Sequence, residues 1–391
     1  MPLSVSAHPH EKVRQKNRSN SIKRTPERVN PADAFANIRS ALATYEVHPE
    51  QLEGLAQLRQ ALRSAAKVVA TFPRQSPKET YVNDARSLIA AVSASGAGDH
   101  PLEPEDVAIL RDYAGQGWPG ILATMLLGPA WQSPATPALD TVPDWLWGDY
   151  ADWMFTVPQR FTALGQTEAY AKFILPRMEN LLRWVERNSG SAAVRLAHAA
   201  YIRRATALPL YFSTGNLKRY SELHARLTGF AYCGKSRADE LVPTPREGRR
   251  LRVGFVNRHF GSQTETYTTL PSFEHLDPQQ FEVVLFAMYA QGTTLEKYAE
   301  SRGREYYLLP EKLSEQLSVL RAAALDVVVF GTNVTGPINE VTRLALHRVA
   351  PLQVVNNSSC ITSGMPEVDL YLSARSRNPS RLPRNSANVS V

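Results

Sequence analysis

Two cysteines in 391 residues leave little thiol chemistry to this chain. Cys233 and Cys360 lie far apart and in no metal-ligand spacing, so neither a disulfide framework nor a zinc site is expected, and free thiols fit a reducing cytoplasm. No apolar run approaches the roughly 20 residues that cross a bilayer, so a membrane is not expected as a partner. The opening stretch, MPLSVSAHPHEKVRQKNRSN, has no apolar segment behind its charges, and a secretory signal is not expected. Glycine patterning is sparse as well. Gly254 is followed only by Gly261, so the G-x-G-x-x-G fingerprint is missing, and neither GxxxxGK[ST] nor G-x-S-x-G occurs. Dehydrogenases, P-loop enzymes and serine hydrolases of the elbow type are thereby disfavoured. No period of 34 residues repeats visibly.

Acid is scarce at the two ends. Residues 1–30 hold seven Lys and Arg against Glu11 and Glu27, and residues 375–391 hold four Arg against none. The net charge of +7 therefore sits in the tails, and residues 31–374 carry −2. Polar, basic tails of this kind read as a disordered leader (1–30) and a disordered tail (374–391) rather than nucleic-acid arms, since no aromatic or fold-level motif accompanies them.

What remains divides into two rhythms. Residues 31–235 read as a helical domain, with apolar positions three and four apart. SPKE at 76–79 has the form of a capping box, EPEDVAILRDYAGQG runs from acids to glycines as a helix dipole favours, and further helices are expected over 191–212 and 216–231. DWLWGDYADWMF gathers Trp145, Trp147 and Trp153, half of the tryptophans. Such density suits a stacking platform for a sugar or base, or one helix face docking into a core; the core is the favoured reading.

After a linker over 236–249, short apolar runs at 250–256, 281–288, 305–309, 326–330, 351–355 and 369–373 read as strands. Helical patterns at 264–276, 293–303, 311–323 and 337–348 separate most of them. Strand–helix alternation means a parallel sheet with right-handed crossovers. The fold class expected is α/β: an all-α region followed by a Rossmann-like lobe over 250–373.

Ligands of open parallel sheets lie beyond the carboxyl ends of the strands. That rule selects the loops Asn257–Thr266, Gly331–Pro337 and Asn356–Met365, all rich in Asn, Ser, Thr and Gly. Such residues serve phosphate or sugar recognition, and they also serve as ordinary helix caps. His259 is the one imidazole in these loops, a candidate general base or a hydrogen-bonding histidine. His347 reads as a cation at a helix end.

LRVGFVNRHFG, LPSFEHLDPQQFEVVLFA, DVVVFGTNVTGPINEVTRLALHRVAPLQVV and NNSSCITSGMPEVDLYLS, taken together over about 251–373, resemble the catalytic region of O-GlcNAc transferase and SPINDLY-type glycosyltransferases. The segment PDWLWGDYADWMFTVPQRF is similar to helical segments ahead of that region in bacterial relatives. The resemblance implies the first of two Rossmann-like lobes of a GT-B-type enzyme, with inverting transfer of N-acetylglucosamine or a related hexose from a UDP donor to Ser or Thr of an acceptor protein. It also implies no metal and no cofactor besides that donor. Carried onto this sequence, it places Phe260, Gly261, Gln263, Thr332, Asn333, Thr335, Asn356, Asn357, Thr362, Ser363 and Gly364 along the substrate side. His259 and Gln263 are the candidates for catalysis. Gln263 stands where the family has a histidine, and an amide is no base at neutral pH. Only 18 residues follow Ser373, fewer than a second lobe needs. The chain by itself is therefore expected to be inactive, with a longer form or partner chain supplying the donor lobe. The alternative expectation is a non-catalytic protein-interaction scaffold built on the helical half.

Overall fold

The computed structural model describes residues 30–75, 79–113, 115–232 and 248–372. Both basic tails, most of the 76–79 capping box, Cys233 and most of the expected linker lie outside the described residues. Among the described residues no helix is long and apolar enough to cross a membrane.

Among the described residues nine α-helices come first: α1 (Pro31–Val47), α2 (Leu52–Ala70), α3 (Glu79–Ser95), α4 (Pro104–Tyr113), α5 (Trp118–Leu127), α6 (Trp147–Phe155), α7 (Gln166–Arg187), α8 (Ala192–Arg204) and α9 (Lys218–Tyr232). Local chemistry sets their starts. Asn30 accepts a bond from the Ala32 N–H and Pro31 opens α1, while Ser191 caps α8 through the Val194 N–H. Phe35, Ile38, Leu42 and Tyr45 form the buried stripe of α1 at helical spacing. Every residue of α5 is buried, which makes it the central helix. In α4 the first-turn acids do more than favour a dipole. Asp106 is buried and takes the Arg63 Nε–H at 2.5 Å, tying α4 to α2.

The helix expected over 191–212 is two pieces. Ala205 leaves α8 with extended backbone, and a 3-10 turn (Leu208–Phe212) follows. Pro209 has no backbone N–H to donate, and in a continuous α-helix its ring would clash with the carbonyl of Ala205, the residue that caps the end of α8. The tryptophan segment resolves toward the core reading: Trp147 and Trp153 are buried and Trp147 stacks on Trp184, whereas Trp145 remains partly exposed against Trp118.

The second half is a six-stranded, all-parallel sheet in the order β3-β2-β1-β4-β5-β6. Its strands are β1 (Leu251–Asn257), β2 (Phe281–Ala287), β3 (Glu305–Leu308), β4 (Val327–Phe330), β5 (Leu352–Val355) and β6 (Leu370–Tyr371). The crossovers are α10 (Thr264–Glu274), α11 (Thr294–Arg302), α12 (Leu313–Ala322) and α13 (Glu340–Ala345). Alternate strand residues face opposite ways. Val256, Val284, Phe286, Val328, Phe330 and Val355 meet Leu320, Val341 and Leu344 from α12 and α13. Val253, Phe255, Val283, Leu285 and Val329 meet Phe273 and Ala299 from α10 and α11. Phe286 and Phe330 are fully buried, each contributing about 1.5–3 kcal/mol by area. This is the α/β class expected, a helical region followed by a Rossmann-like lobe.

The two halves share α9. Its Ala225 sits in the lobe's core, Gly229 faces Leu346, and the Arg343 guanidinium lies 5.5 Å from the Tyr232 ring. Gly364 lets the β5–β6 loop approach α9. Its φ is +65°, and a Cβ there would fall 2.3 Å from the Ser221 carbonyl carbon.

Candidate functional site at the carboxyl edge of the sheet

Strands β1 and β4 are neighbours, yet the chain leaves β1 toward β2 on one side and reaches β4 on the other. This reversal opens a crevice at the carboxyl ends of the strands, between the loops after β1 and β4. Asn257 ends β1 at that point. It is 0% exposed, and neither its Oδ1 nor its Nδ2 has a hydrogen-bond partner among the described residues. Gly331, which follows β4, makes room for it: a Cβ at 331 would stand 2.0 Å from Asn257 Oδ1 and 2.4 Å from Thr269 Oγ1. Asn356, after β5, donates from Nδ2 to Thr269 Oγ1 at 2.9 Å. The floor of the crevice is thus a neutral, amide- and hydroxyl-bearing layer.

His259, two residues after Asn257, is buried, with its ring 5.1 Å from Tyr289. Its Nδ1 accepts the Gly261 N–H at 3.1 Å, so the neutral ring carries its proton on Nε2. Burial lowers its pKa. Glu296 opposes that effect, Arg258 reinforces it and Glu265 opposes it. A neutral imidazole with its one lone pair engaged is a hydrogen-bond donor through Nε2 rather than a base. Glu296 does not orient the ring. Its carboxylate is taken by the Gln291 and Gly292 N–H groups and the Tyr306 hydroxyl. Gln263 is spent partly on its own loop, donating to the His259 carbonyl at 2.8 Å.

The remaining residues singled out in the sequence divide by loop. Phe260 is fully buried among Phe273 and Tyr306, a core position, and Gly261 is buried beside Gln291. Thr332 bridges the first two loops by accepting the Arg258 N–H at 2.9 Å. Asn333 Oδ1 accepts from the Thr335 and Gly336 N–H groups and from Thr335 Oγ1, a self-contained turn. Having donated there, the Thr335 hydroxyl accepts from Tyr211 in the helical half at 2.8 Å. Asn356 Oδ1 accepts from Ser358, and Ser363 accepts from the Met365 N–H. Asn357 and Thr362 point to solvent, and Gly364 is the contact with α9 already described. The structure therefore brings His259, Gln263, Thr332 and Asn356 to the crevice, turns Asn357 and Thr362 to solvent, and carries Asn333, Thr335 and Gly364 against the helical half.

Two participants, Thr269 and Tyr289, lie outside the loops selected from the sequence, and two within the first of those loops, Asn257 and Arg258, were not singled out there as site residues. Arg258 runs beside the Tyr289 ring at 5.7 Å, and its Nε lies 3.1 Å from Glu340 Oε2. A polar residue directly after the apolar run Val253–Val256 was the available signal for Asn257. His347 departs from its expected role. Burial and the nearby Arg321 lower its pKa, so at neutral pH it is no helix-end cation.

No family model matches the chain, and no curated protein does. Among solved structures, a mutant O-GlcNAc transferase of Thermobaculum terrenum is similar at 15% identity and a TM-score of 0.39, covering 88% of this chain. The chain spans about half, 54%, of the length of that structure.

Proposed function

We propose that this chain carries the acceptor-side lobe and adjoining helical region of a UDP-sugar-dependent glycosyltransferase of O-GlcNAc transferase type, acting on Ser or Thr of an acceptor protein. The observation that carries the reading is the crevice at the β1–β4 reversal, in a lobe whose sequence resembles that family. There the Asn257 amide, fully buried and without partners among the described residues, abuts Gly331 two residues before the neutral His259, and the Thr332 side chain ties the β4 loop to the Arg258 N–H. A floor of amides and hydroxyls suits sugar hydroxyls, which both donate and accept. Arg258 is the cation of the β1 loop at this crevice, and it is already paired with Glu340, so the donor diphosphate falls to a facing lobe. Closure by such a lobe would exclude water and align donor with acceptor.

NMR titration of the chain with UDP-N-acetylglucosamine tests this. Shifts confined to residues 257–263 and 331–333, with weak affinity, are the expected result. Saturating sugar nucleotide that leaves those resonances unmoved overturns the reading.

One observation favours a second reading, a non-catalytic interaction scaffold. The β4 and β5 loops spend their polar groups on themselves and on Tyr211, and Gln263 replaces the family's histidine. Under it, partners captured by the full chain persist unchanged in an Asn257→Leu, Gln263→Ala variant, and the sugar nucleotide shifts nothing.

A further inference from the structure

A cavity of about 740 Å³ lies in the helical half, away from the crevice residues, walled by Trp147, Tyr150 and Met154 of α6 and by Arg177, Asn180 and Arg187 of α7. Residues 136–140 close one side and Arg183 and Glu186 stand at another. Its volume is that of a site for a small organic molecule.

Its charges do not balance. Arg177 has no ion-pair partner among the described residues, and its Nε is buried without a hydrogen bond. Its guanidinium lies 5.5 Å from the Phe173 ring, a contact that leaves its N–H groups unused. The neighbouring Tyr150 hydroxyl donates to the Pro137 carbonyl and so offers no counter-charge. Glu186 is held by Arg226 of α9 at 2.6 Å, which leaves Asp140 as the other acid among the lining residues. Half-burial of an arginine that stays protonated costs free energy unless an anion repays it, and burial here already lowers the group's pKa.

We propose that this cavity binds a small organic phosphate, with the phosphate on Arg177 and the body of the ligand against Leu139 and Met154. A dianion suits a cavity lined by three guanidinium groups better than one carboxylate does: the Arg177 fork can take two of its oxygens, and the charges of Arg183 and Arg187 add to the field although Arg183 is engaged with Asn180 Oδ1 and the Glu179 carbonyl and Arg187 with the Arg183 carbonyl. The bounded volume favours a small molecule over an acidic peptide. Arg183 and Arg187, on the exposed side of α7, set the field that draws the anion in.

Calorimetric titration of the full chain with phenyl phosphate tests the assignment, and the tryptophan emission of the Trp147–Trp184 stack provides a second readout. Saturable binding is expected, weakened at least about tenfold in Arg177→Gln. Arg39→Gln, which removes an arginine paired with Asp84 elsewhere, is expected to bind as the unaltered chain does. Absence of saturable binding, or equal affinity in Arg177→Gln, overturns the proposal. Tighter binding of a hexaglutamate peptide than of phenyl phosphate overturns it in favour of an acidic chain. Should Arg177→Gln fail to fold, Arg187→Gln on the rim takes its place, and unchanged affinity there has the same overturning force.

Discussion

Asn257 spends an amide where a leucine would fit the burial. Its two polar atoms are shielded from solvent and unpaired, a situation that costs roughly 1–3 kcal/mol. Its neighbours are Gly331, which has no side chain to offer, and Thr269, which serves Asn356. Asn257→Leu is therefore expected to raise stability by about 1–2 kcal/mol in urea unfolding while abolishing sugar-nucleotide shifts at the crevice. A loss of stability instead would mean that the amide is paired in solution. The residue also marks where sequence reading ran out. That β1 ends at a polar residue was visible, but its meeting with Gly331 joins positions 74 apart and depends on strand order. Likewise His259 was recognisable as an imidazole in a loop, whereas its lone pair is engaged by Gly261, a bond set by the loop's backbone.

At the scale of elements, most strands were legible to within a residue, because Val, Leu and Phe runs punctuated by polar loops leave few alternatives, whereas the crossover expected over 337–348 is the shorter α13, Glu340–Ala345. LRVGFV and DVVVF became β1 and β4 with shifts of one residue. The role of the loops was not legible, since Ser, Thr and Asn suit caps and ligands equally. In the β4 loop the structure uses them internally: Asn333 closes a turn and Asn339 caps α13. Tyr211 ties that loop to the helical half by donating to Thr335 and accepting from Asn333 Nδ2 at 3.4 Å. Tyr211→Phe is expected to cost about 1 kcal/mol and to speed amide exchange across 331–339, leaving exchange in β1 unchanged. Uniform acceleration over the sheet would show that the bond supports the lobe and not the loop.

At the scale of the whole molecule, acid sensitivity is built into the junction of the halves. Burial holds the His224 imidazole down to about 4 and also lowers that of His198. In the unfolded chain both titrate near 6.5, within roughly a unit. Between those values the unfolded chain binds more protons, so stability is fully present above about pH 6.5 and is lost as pH falls toward 4. The His224 share is on the order of 3 kcal/mol. Urea midpoints measured from pH 7 to pH 4.5 are expected to fall, with a shallower slope in His224→Gln; parallel slopes would assign the sensitivity to other groups. His224 lies on α9, bonded through Nδ1 to the Tyr201 hydroxyl at 2.8 Å, one position before the Ala225 that enters the lobe's core. No periodicity within α9 announced that one helix would serve two cores.

Because α9 precedes every strand of the sheet, order of synthesis becomes a structural matter. The ribosome delivers the helical half first, and domains fold as units as they emerge. The parallel sheet is the slow partner, since its pairings join distant segments. Its β4 and β5 loops therefore reach a surface already finished, on which Tyr211 and the backbone at Ser221 stand ready. Reversing the order of the two halves by circular permutation would take that template away while the sheet is forming, and slower, more aggregation-prone refolding is the consequence.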